Sequence, residues 1–208
     1  MSTAPLEFAP TLSPEDAARA NFYALLGRLF YAPPDTELLA ALAGADEIVA
    51  EEGAGSEAGA ALPLAWRDLT LAAAAADPEA VADEHTVLFV GTGKSEISPY
   101  TSAYTIKSAV DNPLVELRDY LAARSLARLG SVNEPEDHVA GLCEVMRHLI
   151  AAQQAPAEEQ KAFFSRYVWP GAVPLCDAVV HAQHAEFYKY VARFAKSFFL
   201  LEREAFEM

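Results

Sequence analysis

The fold of this chain is decided by residues 134–150, which read EPEDHVAGLCEVMRHLI. From Val139 onward the apolar residues stand at offsets 0, 3, 4, 7, 10 and 11, as Val139, Leu142, Cys143, Met146, Leu149 and Ile150. Because an α-helix turns once in about 3.6 residues, this spacing places all six on one helix face. A face that is apolar over its whole length must pack against a core. The stretch therefore predicts a buried amphipathic helix that begins at Glu134–Pro135.

Helical signals continue from this stretch toward the N-terminus. Ser13-Pro14-Glu15-Asp16 is typical of a helix start, and it is followed at helical spacing by Phe22, Leu25, Leu26, Leu29 and Phe30. We expect this first helix to end before Pro33, and further helices over residues 36–42, 62–76, 77–89 and 113–130. Residues 44–60 are rich in Gly, Ala and Glu and offer few anchors for a core, so they are expected to form a mobile loop.

The C-terminal third is helical as well. After Pro156 the sequence predicts a short helix to Tyr167, a break at residues 169–171, a helix to about Gln183 and a long final helix. That last helix carries an apolar, mostly aromatic stripe made by Phe187, Val191, Phe194, Phe198 and Leu201. No alternating run of β-branched residues is long enough for a strand. The sequence therefore predicts an all-α, single-domain bundle of about nine to eleven helices over residues 1–208.

Composition restricts the classes of partner. Thirty acidic residues against fifteen basic ones give a net charge of −15, which repels phosphate backbones and anionic membrane surfaces and favours a cationic partner. Cys143 and Cys176 lack the spacing of a disulfide framework or a zinc ribbon. Residues 1–10 lack the features of a secretory signal, and no apolar run is long enough for a membrane span. We expect a cytoplasmic protein that binds no nucleic acid and does not insert stably into a membrane.

Two segments in the middle third are candidates for a recognition site. One runs from Leu88-Phe89 through a glycine-containing loop to Pro99-Tyr100-Thr101-Ser102-Ala103-Tyr104, and the other is Glu134-Pro135-Glu136-Asp137-His138. With Val139 on the apolar face, His138 would lie about 80° from the centre of that face and Asp137 almost opposite, toward solvent. Helix capping alone would also account for the second segment, with Pro135 at the first helical position and the acids near the positive helix end. Both interpretations stay open at this level.

Other chemistries find weaker support. Gly91, Gly93 and Lys94 suggest a phosphate-binding loop, but the additional glycines and the preceding strand of such loops are absent from the sequence. Asp177, His181 and His184, at offsets 0, 4 and 7, would share a helix face and could bind a divalent ion, yet no ligand with recognisable spacing arrives from a second element. No Gly-x-Ser-x-Gly motif is present. We expect no enzymatic activity, cofactor or metal.

The order of these motifs resembles the TorD/DmsD/NarJ-type family of molybdoenzyme maturation chaperones. The similar features are Leu88-Phe89-Val90-Gly91, then Pro99-Tyr100-x-Ser102-x-Tyr104, then Glu134-Pro135-x-Asp137-His138. The chain also resembles the family in Phe163-Phe164 before Trp169-Pro170 and in the ending at residues 198–202. The resemblance implies a TorD-like all-helical domain, in some members a domain-swapped homodimer, and it implies a chaperone rather than an enzyme.

The resemblance also implies a ligand and a site. The ligand would be the twin-arginine signal peptide, or another part of the apoprotein, of a molybdopterin-containing oxidoreductase, which the chaperone holds until its cofactor is inserted. The residues that the resemblance assigns to the site are Leu88, Phe89, Pro99, Tyr100, Ser102, Tyr104, Glu134, Pro135, Asp137 and His138. A generic helical adaptor and a weak nucleotide-binding or nucleotide-hydrolysing protein are the alternatives.

Overall fold

The computed structural model of the chain describes residues 12–49, 56–91, 95–105, 113–126 and 134–207. The helices in these ranges are α1 (Pro14–Tyr31), α2 (Thr36–Ala43), α3 (Glu57–Ala75), α4 (Pro78–His85), α5 (Ser102–Thr105), α6 (Pro113–Ala123), α7 (Val139–Arg147), α8 (Ala157–Phe163), α9 (Trp169–Val180) and α10 (Tyr188–Glu207). Single π-helical turns over Thr86–Val90, His148–Ala152 and Phe164–Val168 extend α4, α7 and α8. The predicted all-α fold class is confirmed.

Several helices begin where the sequence places a capping side chain. Ser13 Oγ accepts a hydrogen bond from Asp16 N at 3.0 Å, with Pro14 in the first turn, as expected for α1. The Asp77 carboxylate accepts from Glu79 N at 3.0 Å ahead of Pro78 and starts α4 in the same way. Each cap satisfies a backbone N–H that has no partner within the helix. These local signals fix the helix starts without help from tertiary contacts.

The core is built around α7, α10 and the helices that pack on them. All six apolar residues that the sequence places on one face of α7 and its π extension are at most 1% exposed. That face packs against α1, where Gly27 permits a close approach, since a Cβ at this position would lie 3.2 Å from Glu144 Oε1. Helix α10 packs against α3 and α9, and Phe22 of α1 contacts Phe194 and Phe198 with ring centroids 5.2 and 5.5 Å apart.

A carboxylate from a distant helix starts α10, which the sequence did not reveal. Glu84 of α4 accepts backbone hydrogen bonds from Glu186, Phe187 and Tyr188 at 2.7–2.9 Å. Three N–H groups at the positive end of α10 thereby find an acceptor, and a carboxylate there also interacts favourably with the helix dipole. The contact fixes α4, and the π turn that follows it, relative to the last helix.

Several bounds in the described ranges differ from the sequence predictions. Residues 57–60 were predicted to belong to the mobile loop, but they form the first turn of α3. Ser56 Oγ caps this turn by accepting a hydrogen bond from Gly59 N at 3.0 Å. Residues 50–55 of the predicted loop lie outside the described ranges. Helix α6 ends at Ala123 instead of continuing to Gly130, because Ser125 takes a φ of 56°. The predicted break at residues 169–171 is wrong, because Pro170 lies in the first turn of α9, where it costs no hydrogen bond. One helical turn, α5, lies in the region predicted to be a non-helical loop.

Candidate functional site

The two segments singled out in the sequence are joined by an isolated antiparallel bridge between Tyr100 and His138. Val139 N–H donates to the carbonyl oxygen of Pro99 at 2.9 Å, and Thr101 N–H donates to the carbonyl oxygen of Asp137 at 3.0 Å. Both segments are irregular, so neither satisfies these backbone groups by itself. The bridge brings Pro99, Tyr100 and Ser102 beside residues 134–138.

Asp137 is a buried structural acceptor in this arrangement. Its residue is only 6% exposed, and its carboxylate accepts from Ser102 N at 3.3 Å, at the start of α5. Its backbone carbonyl also accepts from the Thr101 hydroxyl at 3.2 Å. The expectation that Asp137 faces solvent is therefore wrong. It assumed a helix from Pro135, whereas α7 begins only at Val139 and residues 135–138 form a turn that folds Asp137 inward.

His138 is the N-cap of α7. Its Nδ1 accepts a hydrogen bond from Ala140 N–H at 3.1 Å, so this nitrogen carries no proton and the neutral ring holds its proton on Nε2. The ring is 6% exposed and lies 5.5 Å from the Tyr100 ring and 6.3 Å from the Tyr31 ring, measured between centroids. Burial lowers its pKa, against the opposing effect of Glu134 and Asp137. The capping interpretation thus applies to His138 and not to Glu134–Pro135.

Tyrosine hydroxyls hold the remaining parts of the bridge in place. Tyr100 donates a short hydrogen bond to the Glu134 carboxylate, and burial together with that carboxylate raises the pKa of Tyr100 to about 12. Tyr104 donates to the carbonyl oxygen of Ser98 at 3.0 Å and closes the loop on itself. Both tyrosines are half-buried, so each ring presents an edge to the surface. The predicted site residues Tyr100, Ser102 and Tyr104 therefore form an ordered edge of the bridge.

Leu88 and Phe89 lie apart from this edge, in the core. Leu88 is fully buried, and its carbonyl oxygen accepts from Ile97 N at 2.8 Å. Phe89 is 7% exposed and packs among the rings of Phe30, His85 and Tyr188, with centroids 5.2–5.9 Å apart. Pro99 is buried as well. Leu88, Phe89 and Pro99 therefore attach the loop to the core and do not line a surface.

A groove with a volume of about 860 Å³ opens beside His138, between α1 and α7. Its floor consists of small or apolar residues of α1, α6, α7 and the segment after α6, namely Ala24, Gly27, Tyr31, Leu121, Leu126, Ala140, Gly141 and Val145. Three predicted site residues line it: Glu134, Pro135 and His138. The contribution of α1 escaped sequence reasoning: Tyr31, which is 53% exposed, lies one residue beyond the apolar period that ends at Phe30.

Charged residues border this α1–α7 groove. Its carboxylates are Glu134, Glu136 and Glu144, and its guanidinium groups are Arg28 and Arg147. Glu136 pairs with Arg118 at 2.9 Å, and Glu144 pairs with Arg147 at 2.8 Å. The arginine of each pair is 44–51% exposed, so the attraction is screened by water and the pairs can exchange partners at small cost. The groove therefore combines an apolar floor with carboxylates that can accept a cation.

The bridge is also pressed against the core at one glycine. A Cβ on Gly171 of α9 would lie 2.5 Å from both Cβ and the carbonyl oxygen of Thr101. Because real Cβ atoms do not approach other atoms so closely, only glycine allows residues 100–102 to rest on α9 at this distance. The bridge is thus built directly on the helix that precedes α10.

The weaker candidate sites are dispersed. Helix α9 ends at Val180, so it does not bring Asp177, His181 and His184 onto one helix face. Asp177 pairs instead with Lys196 at 2.6 Å, and His184 pairs with Glu96 at 2.7 Å. Within the described ranges no three His, Cys, Asp or Glu side chains are grouped as a metal site would need. Cys143 and Cys176 are buried thiols, and burial raises the pKa of both. Residues 92–94, in the segment considered as a phosphate-binding loop, lie outside the described ranges.

The chain is similar to known proteins in sequence and in fold. Residues 56–199 match the family described as "Nitrate reductase delta subunit". The chaperone protein TorD of Aliivibrio fischeri (strain ATCC 700601 / ES114) is 35% identical over 81 residues, which cover 37% of this chain and 38% of that protein's length. A solved structure from Archaeoglobus fulgidus, described as a candidate redox enzyme maturation protein, has the same fold with a TM-score of 0.51 and 17% identity, over 99% of this chain and 100% of the other.

The match over more than half of the chain agrees with the motif order found in the sequence. This chain therefore belongs to the nitrate reductase delta subunit family, and its resemblance to TorD/NarJ-type proteins is confirmed.

Proposed function

We propose that this protein is a redox-enzyme maturation chaperone. Its client is a molybdopterin-containing oxidoreductase, and it binds the twin-arginine signal peptide or another segment of the apoprotein until the cofactor has been inserted. The observation that carries the proposal is the α1–α7 groove, which has an apolar floor, a carboxylate border and a wall formed by residues 134–136 and His138. Family membership and the curated relative named as a chaperone favour this role over an enzyme.

The groove has the chemistry that such a ligand requires. A twin-arginine leader combines paired guanidinium groups with an apolar segment, and an apolar segment gains free energy by covering the floor around Tyr31, Gly141 and Val145. The guanidinium groups would contact Glu134 and Glu144 at the border, since arginine forms geometrically favourable pairs with carboxylates. The net charge of −15 would accelerate the encounter with a cationic peptide.

Because the proposed client is bound before its export, the proposal implies that the protein acts in the cytoplasm. Within the ranges that the structure describes, no helix is both long and apolar enough to cross a membrane. A homodimer, with or without exchange of helices, stays a prediction from the family resemblance. The chaperone needs no cofactor of its own for this role, because its contribution is to hold an unfinished partner.

The experiment is a titration with a synthetic leader peptide that contains paired arginines followed by an apolar segment. Val145→Gln places a polar side chain in the groove floor, and Leu64→Gln on α3 is a matched control outside the groove. We expect at least tenfold weaker binding for Val145→Gln, an unchanged affinity for Leu64→Gln, and binding that weakens with salt. Equal affinity for a peptide with both arginines replaced by alanine would favour a generic helical adaptor.

A further inference from the structure

A second groove lies on a different part of the molecule. It has a volume of about 650 Å³ and is bounded by the C-terminal half of α3, by α4 and by the start of α10. It shares no lining residue with the α1–α7 groove. Its apolar surface includes Leu71, Val81, Phe187 and Tyr190, and Leu71 is 62% exposed. Leu71 therefore extends the apolar lining of the groove to its exposed edge.

The charges around this α3–α4–α10 groove are predominantly negative. Its described lining contains four carboxylates, Asp68, Asp77, Glu84 and Glu186, against the one guanidinium of Arg193. Glu84 is engaged by three backbone N–H groups at the start of α10, so it stays fixed in place. The charge that a ligand meets at the border therefore comes mainly from Asp68, Asp77 and Glu186.

Asp77 accepts from Glu79 N as the cap of α4, and the other two border carboxylates have only weak competitors. Glu186 is 82% exposed and pairs with Lys189 at 3.1 Å within the same helical turn. Asp68 and its neighbour Arg67 are separated by 4.0 Å, and both are well exposed. Surface pairs of this kind contribute little, so a cation from a ligand can replace them. Tyr190 adds an aromatic ring that already accepts Arg193 at 5.7 Å, which is within the range of cation–π attraction.

We infer that the α3–α4–α10 groove binds a cationic amphipathic peptide segment, separate from the one in the α1–α7 groove. Apolar side chains of the segment pack on Leu71 and Tyr190, while its lysines or arginines contact Asp68, Asp77 and Glu186. A second copy of this chain is the less suitable occupant, because two molecules with a net charge of −15 repel each other and this groove is itself acidic. The inference does not depend on the identity of the proposed client.

The test uses the full chain and a 15-residue helical peptide with leucines on one face and lysines on the other. The peptide carries a fluorophore and one photoreactive leucine. Leu71→Gln is compared with Leu64→Gln, because both leucines lie on α3 with exposed fractions of 62% and 56%, but only Leu71 lines the groove. We expect at least fivefold weaker binding for Leu71→Gln, an unchanged affinity for Leu64→Gln, and cross-links within residues 68–84 and 186–193.

Several outcomes would overturn the inference. One is that Leu71→Gln and Leu64→Gln bind the peptide with equal affinity, and another is that all cross-links lie in the α1–α7 groove. A third is that a peptide with its lysines replaced by glutamate binds as tightly as the original peptide. Concentration-dependent dimerisation that Leu71→Gln abolishes would assign the surface to a second copy instead. Leu71→Gln should leave the affinity for the paired-arginine leader unchanged. A result against the α3–α4–α10 groove can therefore be distinguished from a result against the proposed function. Thermal unfolding checks that both variants fold.

Discussion

The packing of α10 and the bridge between residues 99–101 and 137–139 are stabilised in different ways. Helix α10 buries a continuous row of apolar side chains, including Phe194, Phe198 and Phe199, against α3 and α9. The bridge instead depends on single polar contacts between irregular segments, such as Tyr100 with Glu134 and Asp137 with Ser102. The loss of one apolar contact in a row leaves its neighbours in place, whereas the loss of one polar contact leaves a buried group unpaired. The bridge should therefore be the more sensitive of the two to single conservative substitutions.

The largest effect is expected at Gly171, where the bridge rests on α9. Gly171→Ala would place a Cβ 2.5 Å from Thr101, so the backbone around Thr101 must move and the hydrogen bonds of the bridge are disturbed. We expect a loss of about 3 kcal/mol in the free energy of unfolding, measured by urea denaturation. Gly141→Ala is the control, because its Cβ would have an ordinary contact of 3.5 Å to the Glu136 carbonyl oxygen. Equal stabilities for the two variants would mean that the bridge moves independently of the core.

A smaller effect should separate the two roles of His138. His138→Ala removes both the cap of α7 and the ring, and we expect a loss of about 1–2 kcal/mol in the free energy of unfolding. His138→Asn retains a capping oxygen and should recover most of this stability, but it removes the ring between Tyr31 and Tyr100. If the ring contacts the client, both variants bind the leader peptide at least tenfold more weakly. Full affinity in His138→Asn would restrict His138 to capping.

The sequence predicted the helices better than the site for a physical reason. Residues such as Val139 and Met146 follow a period that local geometry imposes, and Ser13 and Asp77 cap their helices within three residues. The burial of Asp137 depends on Thr101 and Ser102, some 35 residues away, and the start of α10 depends on Glu84, about 100 residues away. No periodicity encodes such contacts. Family resemblance identified the two bridge segments, but it could not reveal the groove wall that α1 provides.

The bridge should also respond to pH. Burial lowers the pKa of both His85 and His138, so the folded protein binds protons at these sites less readily than the unfolded chain, whose histidines titrate near about 6.5. Stability is therefore full above that pH and falls as the pH decreases through it toward the lowered folded values. We expect the melting temperature to decrease between about pH 7 and pH 5, and less steeply in His138→Asn. An identical pH dependence in the variant would exclude His138 as a contributor.

The smallest effect concerns the charge at the groove border. Arg118 is 51% exposed and pairs with Glu136 at 2.9 Å, so Arg118→Gln should change the free energy of unfolding by less than about 1 kcal/mol. The same substitution increases the negative potential beside the α1–α7 groove, and we expect about twofold faster association with the paired-arginine leader at low salt. Arg67→Gln on α3 is the control, because it changes the net charge equally, but Arg67 pairs with Asp68, which does not line this groove. The association rate of both variants is measured by stopped flow. Equal acceleration in the two variants would mean that the net charge of −15 attracts the peptide, and not the border of this groove.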